Sequence, residues 1–206
     1  MEDIQNSVLR SMADYMEHPG GITNGHLGRT RRYIELLLEM LESAGYYNEE
    51  ISTWNREYFL RSSLLHDLGK FFIPDSILLK PGKLTEDEFE EMKTHTLSGL
   101  RMIEKMETSA ADLFLQYAKI FIGTHHEWWD GSGYPYGLKG REIPLQGRLM
   151  AIVDVYDALI SERPYKKAYS HKEAVRIIAE GRDTHFDPVL VDLFMSGQQR
   201  FESYAA

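Results

Sequence analysis

The sequence predicts an all-α fold, a bundle of about seven to nine helices. Three observations point there. Apolar residues recur at helical spacing through most of the 206 residues. No segment alternates apolar and polar residues as a half-buried strand would. Gly, Pro and capping residues mark the ends of the periodic stretches.

Met1–Glu17 carries Ile4, Val8, Met12, Tyr15 and Met16 at amphipathic spacing, and HPGG at 18–21 ends that stretch. Residues 1–20 are therefore read as an N-terminal helix, a linker or dimerisation element, ahead of one domain at 21–206. A helix over about Asn24–Ala44 follows, with Leu27, Ile34, Leu37, Leu38 and Leu41 as its apolar face and Gly45 as its C-terminal cap. The next is expected over about Thr53–Leu68, stopped by Gly69, and Ile73–Lys80 reads as a short helical turn before PGK. TEDE at 85–88 is a capping box that opens a helix to about Met106. Further helices are expected over about Ser109–Glu127 and Leu145–Ser161, and from the second capping box, SHKE at 170–173, to about Glu180. Asp187 and Pro188 are N-cap and first residue of the last helix.

The bulk numbers narrow the chemistry. The apolar runs YIELLLEML and LMAIVDVYDALI contain carboxylates and are too short for a bilayer. MEDIQNSVLR has neither the basic start nor the apolar core of a signal peptide, which points to the cytoplasm. With no cysteine, disulfides and thiolate metal sites are excluded, so a metal would need His, Asp, Glu or water. A net charge of −9 argues against broad nucleic-acid binding. It leaves room for one phosphate ester in a metal-lined pocket, where two divalent ions would add about four positive charges.

The eight histidines are unevenly spread. In SLLHDLGK, His66, Asp67 and Lys70 can face one pocket from a helix. Asp67 can bridge two ions, which an imidazole cannot do while keeping its second nitrogen protonated. The preceding apolar run, LRSSLL, puts the pair on a core helix, where burial without partners is costly. His95 lies mid-helix, and His125 and His126 sit where their helix gives way to HHEWWDGSGYPYG. Asp154 stands inside an apolar stretch and calls for a counter-charge, for which a metal is the first choice. Asp157 competes for that role, its plainer reading being a hydrogen-bonding or ion-pair residue. Glu127 is read as orienting an imidazole or as a surface acid. In the loop, DG at 130–131 reads as a turn, and Gly133 as a close approach of backbone. At least one of Trp128 and Trp129 is expected to anchor the loop on the bundle.

Together these stretches resemble the HD-GYP family of metal-dependent phosphohydrolases. The matches are SLLHDLGK with FFIPDSILLKPGKLTEDEFEEMKTH, then HHEWWDGSGYPYGLKGREIPLQGRLMAIVDVYDAL, RPYKKA and THFDP, over about residues 22–194. The resemblance implies an HD helical bundle that hydrolyses cyclic di-GMP to linear pGpG and/or GMP through a metal-bridging hydroxide, in bacterial second-messenger signalling. It places metal ligands at His66, Asp67, His95, His125, His126 and Asp154, with His26 at the family's early histidine. Asp67 and Lys70 are the implied catalytic residues. Arg163 and Lys166 are suited to substrate phosphates, and Gly133, Tyr134 and Pro135 form the GYP element beside the substrate.

Two departures stand out. Ile22 occupies a position where some members carry a glutamate that helps hold a third metal, so a two-metal site is expected. Trp128 stands where an arginine is common. The donor set suits Fe, Mn, Zn, Ni or Co, with iron or manganese preferred by resemblance. The family also implies a receiver, sensory or GGDEF-type signalling partner and a homodimer, with no membrane and no nucleic-acid polymer. His18, His171 and His185 match nothing and are read as solvated or local structural residues. The alternatives are a hydrolase of another cyclic dinucleotide or nucleotide phosphate, and a non-catalytic cyclic di-GMP receptor.

Overall fold

A computed structural model describes residues 25–106, 112–162 and 167–205. Among these the chain is helical, with no strand beyond a lone bridge between Arg182 and Phe186. The N-terminal element at 1–20, Ile22, and both Arg163 and Lys166 lie outside the described residues.

The helices are α1 (His26–Ala44), α2 (Asn48–Ile51), α3 (Arg56–Ser62), α4 (Asp75–Leu78), α5 (Glu86–Met106), α6 (Leu113–Thr124), α7 (Leu145–Ile160), α8 (His171–Glu180) and α9 (Pro188–Ala205). The caps follow the sequence. Thr85 and Glu88 exchange bonds at the start of α5, at 3.3 and 2.7 Å. Ser170 and Glu173 do the same for α8. Asp187 Oδ1 accepts from Val189 N at 2.8 Å. Gly45 closes α1 at φ 76°, a conformation that costs glycine little.

Two expected helices are shorter. The stretch expected over Thr53–Leu68 is helical only over Arg56–Ser62. Asn55 caps it by accepting from Tyr58 N at 3.1 Å, which sets the later start. Ser62 and Ser63 donate back to the carbonyls of Phe59 and Leu60, both at 2.9 Å. Such back-bonding competes with the helical ladder, and the chain tightens into 3₁₀ turns at Ser63–Leu65 and Leu68–Phe72. The helix expected over Ser109–Glu127 is observed over Leu113–Thr124, where Asp112 accepts from Leu115 N at 3.2 Å.

The main core lies where α1 meets α7 and α9. Tyr33, Ile34, Leu37, Leu149, Ile152, Tyr156, Phe194 and Phe201 are fully buried there, each worth roughly 1.5–3 kcal/mol of apolar burial. A smaller cluster of Leu27, Leu65, Leu68, Ile103, Phe114, Leu115, Ala118 and Ile122 lies under the turn that carries His66 and Asp67. These cores fix three backbones around one point: the 63–72 turns, α5 and the end of α6. Gly69 and Gly99 allow the closest approach. A Cβ on Gly69 would stand 1.7 Å from the His95 carbonyl oxygen and 2.6 Å from Gly99 N. Among the described residues no helix is long and apolar enough to cross a membrane.

Candidate metal centre

Asp67 sits at the centre of the converging elements. Its Oδ1 is 3.5 Å from His95 Nε2 and 3.7 Å from His125 Nε2. Its Oδ2 is 2.6 Å from Lys70 Nζ and 3.4 Å from His66 Nε2. Lys70 therefore shares the pocket with His66 and Asp67, as the spacing implies, but from a 3₁₀ turn rather than a continuous α-helix. Two sets of side chains offer ligand atoms all within 4.8 Å of one another: Asp67, His95, His125 and His126, and His26, His66 and Asp67. Asp67 belongs to both.

The orientation of the imidazoles is decided by the backbone. His66 Nδ1 lies 2.9 Å from the Ser63 carbonyl, His95 Nδ1 2.7 Å from Met92, and His125 Nδ1 2.9 Å from Phe121. A carbonyl only accepts, so each Nδ1 carries the proton and each Nε2 turns toward Asp67. His95 and His125 then face each other Nε2 to Nε2 at 3.4 Å. Two lone pairs cannot bond to one another. His66 Nε2 and Asp67 Oδ1 are buried and have no hydrogen-bond partner. Inward-facing nitrogen lone pairs around an orphaned carboxylate oxygen are what a divalent cation requires. The residues present fit a metal.

Charge reinforces this. Burial opposes ionisation of Asp67, but the Lys70 ammonium and the neighbouring imidazoles outweigh it and hold the carboxyl well below its usual range. Burial pushes the His95 imidazole down to about 4. Burial, with His125 and His95 beside it, holds His126 well below its ordinary value. Both rings are therefore neutral ligands near neutral pH. His66 goes the other way: burial pulls it down, but the adjacent Asp67 carboxylate raises it.

These shifts predict acid sensitivity in the metal-free protein. Burial also lowers His185 to about 4. Unfolded histidines bind protons near 6.5, whereas His95, His126 and His185 stay neutral until well below that. The unfolded state thus binds more protons in this window, and stability is lost as pH falls from about 6.5 toward 4. His66 opposes the trend, as does Glu127, whose carboxyl burial raises. The expected loss between pH 7 and pH 5 is ~2 kcal/mol or more, read as a fall in the urea midpoint in EDTA. A midpoint that holds or rises refutes it.

Asp154 is in neither set, although its Oδ1 is 3.7 Å from His26 Nε2. Asp157 is buried and takes its plainer role. Its oxygens lie 2.7 Å from His26 Nδ1 and 2.6 Å from Arg29 Nε. Burial raises its carboxyl, but the bonds from His26 and Arg29 win and lower it.

The loop after α6 forms a wall of the centre. Glu127 corrects both expectations for it: it is neither a surface acid nor the partner of an imidazole. It is 2% exposed, and its two oxygens accept Tyr136 N at 2.7 Å and Leu138 N at 2.9 Å. Facing backbone amides satisfy it, so the side chain clamps the far arm of the GYP turn. Gly131 turns at φ 88° as DG implies. A Cβ on Gly133 would stand 2.2 Å from Trp128 N and 2.5 Å from the His126 carbonyl oxygen, so this glycine serves the loop's own packing. The Tyr134–Pro135 peptide is cis. Tyr134 stacks on His126, with centroids 4.7 Å apart, and Lys93 Nζ lies 5.7 Å over the tyrosine ring.

Trp128 stacks on His185 at 4.2 Å, and His185 on Phe186 at 4.0 Å, giving the expected anchor and a local role for His185. His171 Nδ1 meets the Tyr156 hydroxyl at 2.8 Å. His18 lies outside the described residues. The partners of Asp157 and the clamp by Glu127 escape sequence reasoning. Only the acidic pair three residues apart, Asp154 and Asp157, hinted at the first.

Comparison with known proteins agrees with this centre. Residues 17–190 match the model of the HD domain family, a domain that implies divalent-metal binding. A Vibrio cholerae protein named probable cyclic di-GMP phosphodiesterase is 45% identical over 203 residues, covering 98% of this chain and 46% of its own length. A second from that organism, named cyclic di-GMP phosphodiesterase, is 45% identical over 214 residues, covering all of this chain and 44% of its own. The chain thus spans about half the length of the curated relatives it matches. A crystal structure of a cyclic GMP-AMP specific phosphodiesterase of V. cholerae shares the fold, with a TM-score of 0.65 at 19% identity, over 96% of this chain and 50% of that one. With its HD turn, paired histidines and GYP loop around one carboxylate, the chain belongs to the HD domain family, in its HD-GYP branch.

Proposed function

We propose that this chain is a metal-dependent phosphodiesterase that hydrolyses cyclic di-GMP to linear pGpG and/or GMP in bacterial second-messenger signalling. One observation carries the reading: three imidazoles tied at Nδ1 to backbone carbonyls turn their Nε2 atoms on Asp67. The relatives named as cyclic di-GMP phosphodiesterases align with nearly the whole chain. In this reading Asp67, His95, His125 and His126 hold one divalent ion. His66, Asp67 and His26, with Asp154 beside them, hold another. Iron or manganese is preferred, and Zn, Ni or Co also suit the N/O donors. Ile22 offers no ligand atom for a third ion.

Such ions supply Lewis-acid polarisation of a phosphoryl group and lower the pKa of water toward neutrality. The chain's residues do the rest. Asp67 holds Lys70 Nζ at the edge of the cluster, 2.6 Å away. From there the ammonium offsets charge on a non-bridging phosphate oxygen. Arg163 and Lys166 orient the second phosphate, and Gly133, Tyr134 and Pro135 shape the wall against which a guanine rests. The reading includes a cytoplasmic location. It also includes the domain at 21–206 with residues 1–20 as a connecting or dimerisation helix, and a homodimer or a receiver, sensory or GGDEF-type partner as signalling context.

The test is elemental analysis of anaerobically purified protein, paired with turnover of cyclic di-GMP and 3′3′-cGAMP. Cyclic di-GMP hydrolysis that tracks metal content supports the reading. Preference for the other dinucleotide moves the substrate, and tight binding without turnover across several metals replaces the enzyme with a receptor. Lys70→Ala is expected to keep its metal and lose ~10²-fold in kcat. Unchanged kcat removes Lys70 from the mechanism.

A further inference from the structure

We infer that Asp157 is a positioning residue for His26, holding the Nδ1 proton so that Nε2 is presented to the cluster. This rests on the reading that divalent ions are held here. The argument starts from how the other imidazoles are oriented. His66, His95 and His125 each give Nδ1 to a carbonyl three or four residues earlier on their own element. His26 is the first residue of α1, with Gly25 in the left-handed region at φ 76° before it, and its Nδ1 turns to another element. α7 supplies the acceptor: Asp157 Oδ2 stands 2.7 Å from His26 Nδ1.

A carboxylate only accepts, so the tautomer is set as firmly as by a carbonyl. Nε2 is left facing Asp154 Oδ1 at 3.7 Å, with the His66 ring centroid 5.5 Å from that of His26. Asp157 is itself fixed. Arg29, one turn along α1, donates from Nε to Oδ1 at 2.6 Å and from its second nitrogen to Oδ2 at 3.0 Å. The same guanidinium reaches Ser161 Oγ at 2.8 Å, and Ser161 donates to Asp157 Oδ2 at 3.3 Å. Both ends of the carboxylate are held, and the residue is 1% exposed. The network joins the start of α1 to the end of α7, two elements whose independent motion would carry His26 away from His66. A carboxylate behind a metal-binding imidazole also raises its basicity and fixes its ring.

The experiment compares wild type, His26→Ala, Asp157→Asn, the double variant and His95→Ala, each stripped and titrated with Mn²⁺. In Asp157→Asn the ion lost is expected to be the one lost in His26→Ala, its affinity falling ~10–100-fold. The double variant loses nothing more, whereas His95→Ala acts on the other ligand set and its loss adds. Asp157→Asn with wild-type Mn²⁺ affinity overturns the inference, and so does loss added to that of His26→Ala. Should the asparagine variant unfold, ¹⁵N NMR of metal-free wild type decides instead. A protonated Nδ1 and bare Nε2 on His26 are expected, and the reverse tautomer overturns the inference. Wild type that takes up no Mn²⁺ or other divalent ion defeats the proposed function, while the tautomer still reports on Asp157.

Discussion

Asp67→Asn is expected to cost both metal and turnover: kcat falls ~10³-fold or more, and neither ligand set retains its ion at wild-type affinity. The reason is geometric. Asp67 is the only residue common to both sets, and its two oxygens face different nitrogens, Oδ1 toward His95 and His125, Oδ2 toward His66 and Lys70. Asparagine keeps the size but removes the charge, and its amide end donates toward groups that need an acceptor or a cation. A Lewis-acid contribution of several kcal/mol lost at the reacting phosphate corresponds to about a thousandfold, at 1.36 kcal/mol for each factor of ten. Turnover of cyclic di-GMP in metal-replete protein, with elemental analysis of the same sample, gives the answer. A variant with wild-type kcat and metal content would falsify the central role of Asp67.

Gly69→Ala is expected to lower stability by about 3 kcal/mol, at the upper end of overpacking costs. For a chain of this size that is a fall of roughly 6–12 °C in Tm. The added methyl would lie 1.7 Å from the His95 carbonyl oxygen and 2.6 Å from the carbonyl carbon and from Gly99 N, all backbone atoms with no rotamer to yield. Relief therefore requires the 68–72 turn to lift off α5, and that motion separates Asp67 from His95. The same variant should weaken metal binding although Gly69 touches no ligand atom of the centre. Gly28→Ala is the control. It lies exposed in α1 with nothing within 4 Å of a built Cβ. Alanine there is expected to be neutral or to stabilise by ~0.5–1 kcal/mol through helix propensity. Equal Tm values for the two alanine variants would refute the close-approach argument.

Much of this molecule was legible from local rules. Capping chemistry acts over three or four residues, so Thr85 with Glu88, Ser170 with Glu173, Asp187 and Gly45 announce helix ends in the sequence alone, and the structure agrees. The HD turn and its boundaries were less legible. Ser62 and Ser63 look neutral in a helical stretch until their hydroxyls are seen bonded to the preceding turn.

Local pattern and resemblance together determined that the chain is all-α, that a metal would rest on nitrogen and oxygen donors, and which histidines and aspartates were candidates. They could do so because periodicity, capping and the absence of cysteine are properties of neighbouring residues. Only the tertiary structure decided what each candidate faces. His26 and Asp157 are 131 residues apart and meet at 2.7 Å. Glu127 turns from the imidazoles to the amides of Tyr136 and Leu138. Gly69 and Gly99 reveal their purpose only when two backbones meet. Hydrogen-bond partners, tautomers and van der Waals contacts are set by distances between elements, and those distances exist only once the two cores have brought α1, α5, α6 and α7 together around Asp67.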